Sequence, residues 1–217
     1  MMPDRSTVFL VDDDAAVRKA LLFLLSTADL AAAGFASAGA FLENYAADRP
    51  GCIVIDLRMP GMDGLELQQE LARRGCLLPV ILVTGHGTVK AAIAALKGGA
   101  FDFLEKPLRD EVFLDSVRRA LDWDRTVRAR VAELAELQRR AAELTPREHE
   151  IMRLVVAGHP NKVISHLLGI SLRTVEIHRG RVMEKMAART SSDLVRMALA
   201  LAEEPALPPD GRRPPAG

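Results

Sequence analysis

Short apolar runs alternate with longer segments of helical periodicity along the first 120 residues. Strands of parallel sheets are usually covered on both faces, so their sequences are nearly continuous apolar runs. Such runs predict five strands, at Thr7–Val11, Ala31–Ala36, Ile53–Asp56, Pro79–Thr84 and Asp102–Leu104. The segments between and after them predict five helices, at Ala15–Ser26, Ala38–Tyr45, Gly64–Arg73, Thr88–Lys97 and Glu111–Leu121. This alternation predicts an α/β domain over residues 5–122 with a doubly wound, five-stranded parallel sheet.

The next segment, residues 123–143, is charged, lacks Gly and Pro, and predicts a helical linker. Its apolar positions recur at helical spacing, at Val127, Val131, Leu134, Leu137 and Ala141. The pattern is too short to establish a coiled coil, so pairing of two linkers in a dimer stays open.

Residues 144–202 contain only helix signals and predict a small all-α domain. Thr145 and Glu148 have the spacing of a capping box around Pro146. Further helix caps are expected at Asn161, Ser171 and Asp193. The last segment, residues 203–217, contains five prolines and little apolar content, which predicts a disordered tail.

Charge is unevenly distributed although the whole chain has a formal net charge of zero. The net charge is −3 over residues 1–121 and +4 over residues 144–202, which favours a polyanion as partner of the second domain. Two scattered cysteines predict free thiols in a reducing cytoplasm. We expect no signal peptide, and Gly and polar residues interrupt the apolar stretch Ala20–Leu42 too often for a membrane span.

Polar side chains follow four of the predicted strands, where the carboxyl ends of parallel strands bind ligands. They are Asp12, Asp13, Asp56, Thr84 and Lys106. Neighbouring carboxylates repel each other unless a cation lies between them, and such oxygen-rich groups suit Mg²⁺. A lysine and a hydroxyl would complete a phosphoryl-transfer site. Because no nucleotide-binding Gly-rich loop is present, the phosphoryl group is expected from another source, with a carboxylate as acceptor.

Four segments, in this order and spacing, resemble the receiver domain of two-component response regulators, which has a flavodoxin-like fold. The matching segments are Val11-Asp12-Asp13-Asp14, Asp56 to Gly64, Thr84-Gly85-His86-Gly87 and Phe103-Leu104-Glu105-Lys106-Pro107. The resemblance implies that a sensor histidine kinase phosphorylates Asp56. It also implies that Asp12, Asp13, Asp56 and the Arg58 carbonyl hold Mg²⁺ (or Mn²⁺).

The same resemblance implies roles for three further residues. Lys106 is expected to contact the phosphoryl group, through a Lys106–Pro107 peptide bond that is cis. Thr84 is expected to move toward the phosphate, and Phe103 to turn inward behind it. A plain core position is the alternative for Phe103, and a cap of the following helix is the expected role of Asp14.

The segment Leu172–Met186 places Val175, His178, Val182 and Met186 on one face of a helix. This face is expected to pack on Ile151, Leu154, Val155, Ile164, Leu167 and Leu168. Arg173, Ile177, Gly180, Arg181 and Glu184 lie on the other face, which is free for the major groove of DNA. Gly180 lowers helix stability by about 1 kcal/mol relative to Ala. Two explanations for a glycine at this position are equally good: the helix backbone approaches DNA closely there, or an exposed position simply tolerates glycine.

Residues 142–200 resemble the LuxR-type helix-turn-helix of the NarL/FixJ response regulators. The resemblance rests on Leu144 to Glu148, Gly158-His159-Pro160-Asn161-Lys162 and Gly169 to Arg179, followed by Lys185-Met186. Thr84 to Gly87 and Gly158 to Lys162 are similar to the FixJ branch in particular. The resemblance implies phosphate contacts by Lys162 and Thr174 and base contacts by Arg173, Ile177 and Arg181. An internal pair between Arg179 and Glu148 is also expected.

Together these features predict a cytoplasmic response regulator that is phosphorylated on Asp56, forms a homodimer and regulates transcription. The expected partners are the kinase, double-stranded promoter DNA and RNA polymerase, without a membrane. No enzymatic activity is expected beyond self-phosphorylation and auto-dephosphorylation at Asp56. The alternatives are a phosphorylation-independent DNA-binding protein with a vestigial receiver and an aspartyl phosphatase. A phosphatase would require a second acid two residues after its nucleophile, where Arg58 stands.

Overall fold

A computed structural model describes residues 6–46, 49–85, 93 and 95–202. Most of the predicted helix Thr88–Lys97 and the predicted tail 203–217 lie outside these residues. The chain forms two compact units, divided after Arg128. No helix of the described part is long and apolar enough to cross a membrane.

The N-terminal unit is built on a five-stranded parallel sheet, as predicted. Its strands are β1 (Thr7–Val11), β2 (Ala32–Phe35), β3 (Gly51–Asp56), β4 (Val80–Thr84) and β5 (Asp102–Glu105). They lie side by side in the order β2-β1-β3-β4-β5. The first three helices are α1 (Ala15–Thr27), α2 (Ala38–Asn44) and α3 (Gly64–Arg73). Order and direction are those of a doubly wound fold, so the predicted fold class is confirmed.

Two apolar cores cover the two faces of this sheet. Phe9, Ile53 and Leu82 belong to the core that also contains residues of α2 and α3. Val8, Val54 and Ile81 belong to the core shared with α1 and the helix after β5. Side chains alternate between the faces along each strand, and both faces are covered. This is why the strands read as unbroken apolar runs in the sequence.

Short polar side chains begin the helices that follow β1 and β3. Asp14 accepts hydrogen bonds from the backbone N–H groups of Ala16 and Val17, so its predicted role as a cap of α1 is confirmed. Asp63 and Glu66 form a reciprocal capping box at the start of α3. Both caps fix the path of the chain directly after a strand end, where the polar residues of the predicted site lie.

The helix after β5 is one continuous element, α4 (Asp110–Ala142). It joins the predicted helix Glu111–Leu121 to the predicted linker. Asp124 anchors it to the sheet: its buried carboxylate accepts the backbone N–H of Gly51 at 2.9 Å and the guanidinium of Arg128. Arg128 in turn donates to the carbonyl of Arg49. These bonds tie α4 to the amino end of β3, opposite the strand ends that carry the predicted site.

The C-terminal unit contains α5 (Pro146–Val156), α6 (Asn161–Leu168), α7 (Leu172–Lys185) and α8 (Ser191–Ala202). Its core includes Ile151, Ile164, Val175 and Val182. The turn between α6 and α7 contains Gly169 at φ 63°, a left-handed conformation that glycine adopts without strain. The predicted small all-α domain with a helix-turn-helix is therefore confirmed.

Three local predictions for this unit are wrong. Pro160, not Asn161, precedes the first residue of α6, and the Asn161 side chain accepts a hydrogen bond from Arg179 rather than capping the helix. Thr190, not Asp193, precedes the first residue of α8, and its hydroxyl accepts the backbone N–H of Asp193. The Asp193 carboxylate in turn accepts the backbone N–H of Thr190. Leu167 is 56% exposed rather than packed in the core.

Candidate functional site

Four of the predicted site residues converge at the carboxyl edge of the sheet. Asp12 follows β1, Asp56 ends β3, Thr84 ends β4 and Lys106 follows β5. Since these four strands are direct neighbours and parallel, their ends lie at one edge. The structure therefore brings together residues that are up to 94 positions apart in the sequence.

The Lys106 ammonium bridges two of these carboxylates. Its Nζ donates to Asp56 Oδ1 at 2.6 Å and to Asp12 Oδ2 at 3.0 Å. Both carboxylates are nearly buried, whereas the lysine side chain keeps 23% of its surface exposed. The cation therefore offsets the repulsion between two acids that water hardly reaches.

The environment changes the pKa values of this group in opposing ways. Burial raises the pKa of Asp12, and this effect outweighs the hydrogen bonds from Lys106 and from the backbone N–H of Asp14. Burial also disfavours the charged form of Lys106, but its bonds to Asp56 and Asp12 together raise its pKa. The lysine is therefore held as a fixed positive charge at this edge.

The loop after β3 is shaped around Asp56. The backbone N–H of Arg58 donates to Asp56 Oδ2 at 2.8 Å, so both carboxylate oxygens have a partner. Gly64 passes close to the strand end, where a Cβ on it would come within 2.6 Å of the Asp56 carbonyl oxygen. Only glycine fits this position, because backbone atoms cannot yield as a flexible side chain can. The loop is thereby held against the end of β3.

An open cleft of about 530 Å³ adjoins this strand end. It is lined by Asp13, Leu57, Arg58, Met59, Pro60, Asp63 and Leu65. Asp13 is exposed, in contrast to its buried neighbour Asp12. The cleft therefore gives solvent access to the acidic edge of the sheet.

The donor set at this edge fits Mg²⁺, which prefers oxygen ligands and retains several waters. Carboxylate oxygens come from Asp12, Asp13 and Asp56, and a backbone carbonyl is available on Arg58. Within the described residues, no three acidic, His or Cys side chains form a ready-made metal cluster. Mg²⁺ does not need one, since it binds through one or two carboxylates, waters and phosphoryl oxygens.

Thr84 and Phe103, for which a movement is expected, are less accessible than the acids' cleft-facing neighbour Asp13. Thr84 is fully buried, and its carbonyl accepts the backbone N–H of Lys106 at 2.7 Å. Phe103 is half-buried and packs against the core shared with α2 and α3. The Lys106–Pro107 peptide bond is cis, as expected. His86 and Gly87 of the segment after Thr84 lie outside the described residues.

The second candidate site is the outer face of α7. Arg173, Ile177 and Arg181 are exposed on it, and Lys162 is exposed at the start of α6. Thr174 is half-buried, and its hydroxyl lies 2.7 Å from that of Ser171, the residue that caps α7. Val175, Val182 and Met186 are buried on the inner face. Ile177 is 48% exposed, so its apolar side chain is available for contact on this face.

The expected pair between Arg179 and Glu148 is absent. Arg179 instead donates to Asn161 and to Ser191, which joins α7 to the starts of α6 and α8. Glu148 is buried and pairs with Lys185 at 2.6 Å. This lysine and the Thr145 cap lower the pKa of Glu148 to about 2. Local spacing gave no sign of the pair, since its members are 37 residues apart.

Sequence reasoning also missed a polar network between β5 and α4. The Asp102 carboxylate accepts hydrogen bonds from the buried Ser116 hydroxyl at 2.7 Å and from Arg119 at 2.8 Å. Arg119 also pairs with Asp115 and lies over the Phe101 ring. The i, i+4 spacing of Asp115 and Arg119 could have predicted the ion pair between these two residues. The link to Asp102 depends on how α4 packs on the sheet.

Family comparisons identify both units. The response regulator receiver domain model matches residues 8–118, and the model of the bacterial regulatory proteins of the luxR family matches residues 142–198. These matches define the class: the chain is a DNA-binding response regulator that acts in transcription regulation. It belongs to the FixJ-type two-component response regulators, with a receiver and a DNA-binding domain.

Individual relatives span nearly the whole chain. The transcriptional regulatory protein FixJ of Azorhizobium caulinodans is 45% identical over 94% of this chain and 97% of its own length. FixJ of Rhizobium meliloti is 44% identical over 89% of this chain and 95% of its own. Among solved structures, the response regulator StyR is 36% identical at a TM-score of 0.83, covering 90% of this chain and 99% of that one. Response regulators of this type bind a sensor kinase and promoter DNA, and receiver domains generally bind Mg²⁺ at the acidic pocket.

Proposed function

We propose that this protein is a switch operated by phosphorylation of Asp56. A sensor histidine kinase supplies the phosphoryl group, and the receiver domain, over residues 5–122, accepts it. The observation that carries this proposal is the double contact of Lys106 with Asp56 and Asp12, at 2.6 and 3.0 Å. A fixed cation beside a nearly buried carboxylate, next to an open cleft, suits a carboxylate that must receive a phosphoryl group.

The chemistry follows from the partners of Asp56. One oxygen of its carboxylate attacks the phosphorus atom, the new P–O bond forms, and the bond from phosphorus to the nitrogen of the donor histidine breaks. The backbone N–H of Arg58 stays near the carboxylate and orients it. Lys106 moves its contact from the carboxylate to a phosphoryl oxygen, where its positive charge offsets the developing negative charge.

Asp12, Asp13, Asp56 and the Arg58 carbonyl are the proposed holders of Mg²⁺ (or Mn²⁺). When bound, the metal ion neutralises charge on the phosphoryl oxygens and brings them to the nucleophile. Thr84 is proposed to donate its hydroxyl to the phosphoryl group after a movement toward it. Phe103, directly behind on β5, is proposed to turn further inward into the space that Thr84 leaves.

The proposed output is dimerisation and DNA binding in the cytoplasm. The receiver would dimerise through the face formed by residues 89–97 and 102–121, and helical residues 123–143 would link it to the DNA-binding domain at 144–202. In that domain, Lys162 and Thr174 would contact DNA phosphates. Arg173, Ile177 and Arg181, exposed on one face of α7, would contact bases. RNA polymerase is the proposed further partner at the promoter.

The phosphorylation proposal is tested with acetyl phosphate and MgCl₂ on the full chain, followed by intact-mass measurement. The expected result is one phosphoryl adduct on the wild-type protein and none on Asp56→Asn. Asp63→Asn is the matched control, because Asp63 lines the same cleft and asparagine preserves its role as a cap of α3. This control is expected to retain the adduct.

Two results would contradict the proposal. An adduct of equal yield on Asp56→Asn would mean that another residue is the acceptor. Absence of any adduct on the wild-type protein would instead support a vestigial receiver and phosphorylation-independent DNA binding. A phosphatase would be indicated by turnover of a generic phosphoester that Asp56→Asn abolishes.

A further inference from the structure

Gly180 lies inside a helix, where no contact among the described residues requires a glycine. It lies in α7, which continues for five residues beyond it. Among the residues that the structure describes, a Cβ on Gly180 would meet nothing within 4 Å, and the residue is exposed. Alanine would therefore fit without strain and would favour the helix. Gly64 and Gly169 differ, because a close backbone contact at one and a left-handed conformation at the other require glycine.

The surroundings of Gly180 indicate what its missing side chain makes room for. Residues three and four positions away along a helix are surface neighbours, which places Ile177 and Glu184 on either side of it. Both are exposed, as are Arg173 and Arg181 on the same face. Gly180 thus forms a notch in the middle of the outer face of α7, bounded by one apolar and one acidic side chain.

The fit of a helix into DNA explains the value of such a notch. The major groove is about 12 Å wide, and a helix with its side chains has a diameter of about 10–12 Å. Any side chain at the centre of the inserted face limits how deeply the helix can enter. A glycine at that point lets the backbone approach the groove, so that flanking arginines reach the base edges.

We propose that Gly180 is a steric contact point for duplex DNA, at which the backbone of α7 lies against the major-groove surface. This inference rests on the proposed use of α7 as the DNA-reading helix, and it adds a position that sets the depth of insertion. Addition of one methyl group at residue 180 then separates α7 from the bases. It has no such effect on the fold of the free protein.

The test uses Gly180→Ala in the full chain, with and without acetyl phosphate and MgCl₂. The probe is the duplex that wild-type protein enriches most from a random-sequence pool, compared with an unrelated duplex of equal length. We expect affinity for the enriched duplex to fall about tenfold or more, as for loss of a good base contact. Affinity for the unrelated duplex should change less than twofold. The melting temperature of the C-terminal domain should rise by about 4–8 °C.

Gly39→Ala is the matched control. Gly39 is an exposed glycine in α2 of the receiver domain, and the one described atom within 4 Å of a Cβ there would be the Ser37 hydroxyl oxygen, at 4.0 Å. The same chemical change should thus favour a helix remote in sequence from α7 and leave affinity for both duplexes unchanged.

The possible outcomes separate the inference from the function on which it rests. If Gly180→Ala raises the melting temperature and leaves specific affinity within twofold of wild type, the contact is refuted while DNA binding stands. A lower melting temperature would show that the free fold itself needs this glycine, which also overturns the inference. If wild-type protein enriches no duplex in either state, the proposed DNA-reading function itself is overturned.

Discussion

Lys185 donates a hydrogen bond to the buried carboxylate of Glu148 across 2.6 Å. The lysine is the last residue of α7, and the glutamate belongs to the first turn of α5. Glu148 also accepts the backbone N–H of Thr145 and so completes the capping box of α5. One ion pair therefore connects a helix start to the end of the proposed DNA-reading helix.

The first prediction concerns the acid sensitivity of this pair. The pKa of Glu148 in the folded protein is about 2, below its ordinary value of 4.5, because Lys185 and the Thr145 backbone stabilise the ionised form. A lowered pKa means that the stabilisation is complete above about pH 4.5 and is lost as the pH falls toward 2. Glu148→Gln should therefore flatten the dependence of unfolding free energy on pH within this window.

At neutral pH the same variant should be less stable by about 3 kcal/mol, because Lys185 loses a buried partner. Chemical denaturation monitored by circular dichroism between pH 2 and 7 measures both effects. Glu150→Gln is the control, since the Glu150 carboxylate is more exposed and pairs with Arg147 across one turn of the same helix. Parallel pH profiles for wild type and Glu148→Gln would show that the pair has no such role.

The second prediction concerns the charge balance at the proposed phosphorylation site. Lys106→Met leaves the nearly buried carboxylates of Asp12 and Asp56 without their shared cation. The free energy of unfolding should fall by about 1–3 kcal/mol, as expected for loss of a charged hydrogen-bond partner. MgCl₂ should restore much of this loss, and should raise the melting temperature of Lys106→Met more than that of wild type. Equal shifts in both proteins would contradict this account.

The third prediction concerns the anchor of α4. Asp124 is 1% exposed and accepts hydrogen bonds from Gly51 and Arg128. Asp124→Ala should lower the free energy of unfolding of the receiver by about 3–5 kcal/mol, because Arg128 loses its buried partner and the Gly51 N–H its acceptor. Asp122→Ala, at an exposed position of the same helix, should change it by less than about 0.5 kcal/mol. Urea denaturation of both variants measures the difference.

The fourth prediction concerns the second residue after the end of α7. Ala187 has φ 53°, and the N–H of Ala188 reaches back to the carbonyl of Met183, which closes the helix end. This left-handed conformation strains alanine but not glycine. Ala187→Gly should raise the free energy of unfolding by about 0.5–1 kcal/mol, after allowance for the greater freedom of glycine in the unfolded chain.

The converse change provides the control for this last prediction. Gly169 has φ 63° at the end of α6, so Gly169→Ala should destabilise the domain by about 1 kcal/mol. Thermal unfolding of the two variants is expected to shift in opposite directions. Shifts of the same sign would rule out backbone conformation as the cause.

Several features were readable from the sequence for local reasons. Asp14 and Thr145 precede helical periodicity directly, and a cap needs only backbone groups two or three residues away. The sheet strands were readable because both of their faces are covered, so apolar residues run without interruption. Convergence of Asp12, Asp56, Thr84 and Lys106 followed from one rule, that parallel strands share a carboxyl edge.

Errors arose where a local signal competed with a distant partner. Asparagine is a common helix-capping residue, but the Asn161 side chain accepts a hydrogen bond from Arg179, which is 18 residues away in the sequence. Arg179 was assigned to Glu148, which pairs with Lys185 instead, since α5, α6 and α7 meet at angles that spacing does not encode. Leu167 fits an apolar periodicity, yet α6 turns it toward solvent, where it is 56% exposed.

The amino-acid sequence was enough to predict the class of fold, the order of the described elements and a set of candidate residues for both sites. These depend on periodicity and on residue chemistry, which short segments carry. The partners of the charged side chains became known from the folded structure: Lys106 with both Asp12 and Asp56, Asp124 with the backbone N–H of Gly51, and Lys185 with Glu148. Such pairs form between segments that are distant along the chain, and their geometry is set by packing of the apolar cores between them.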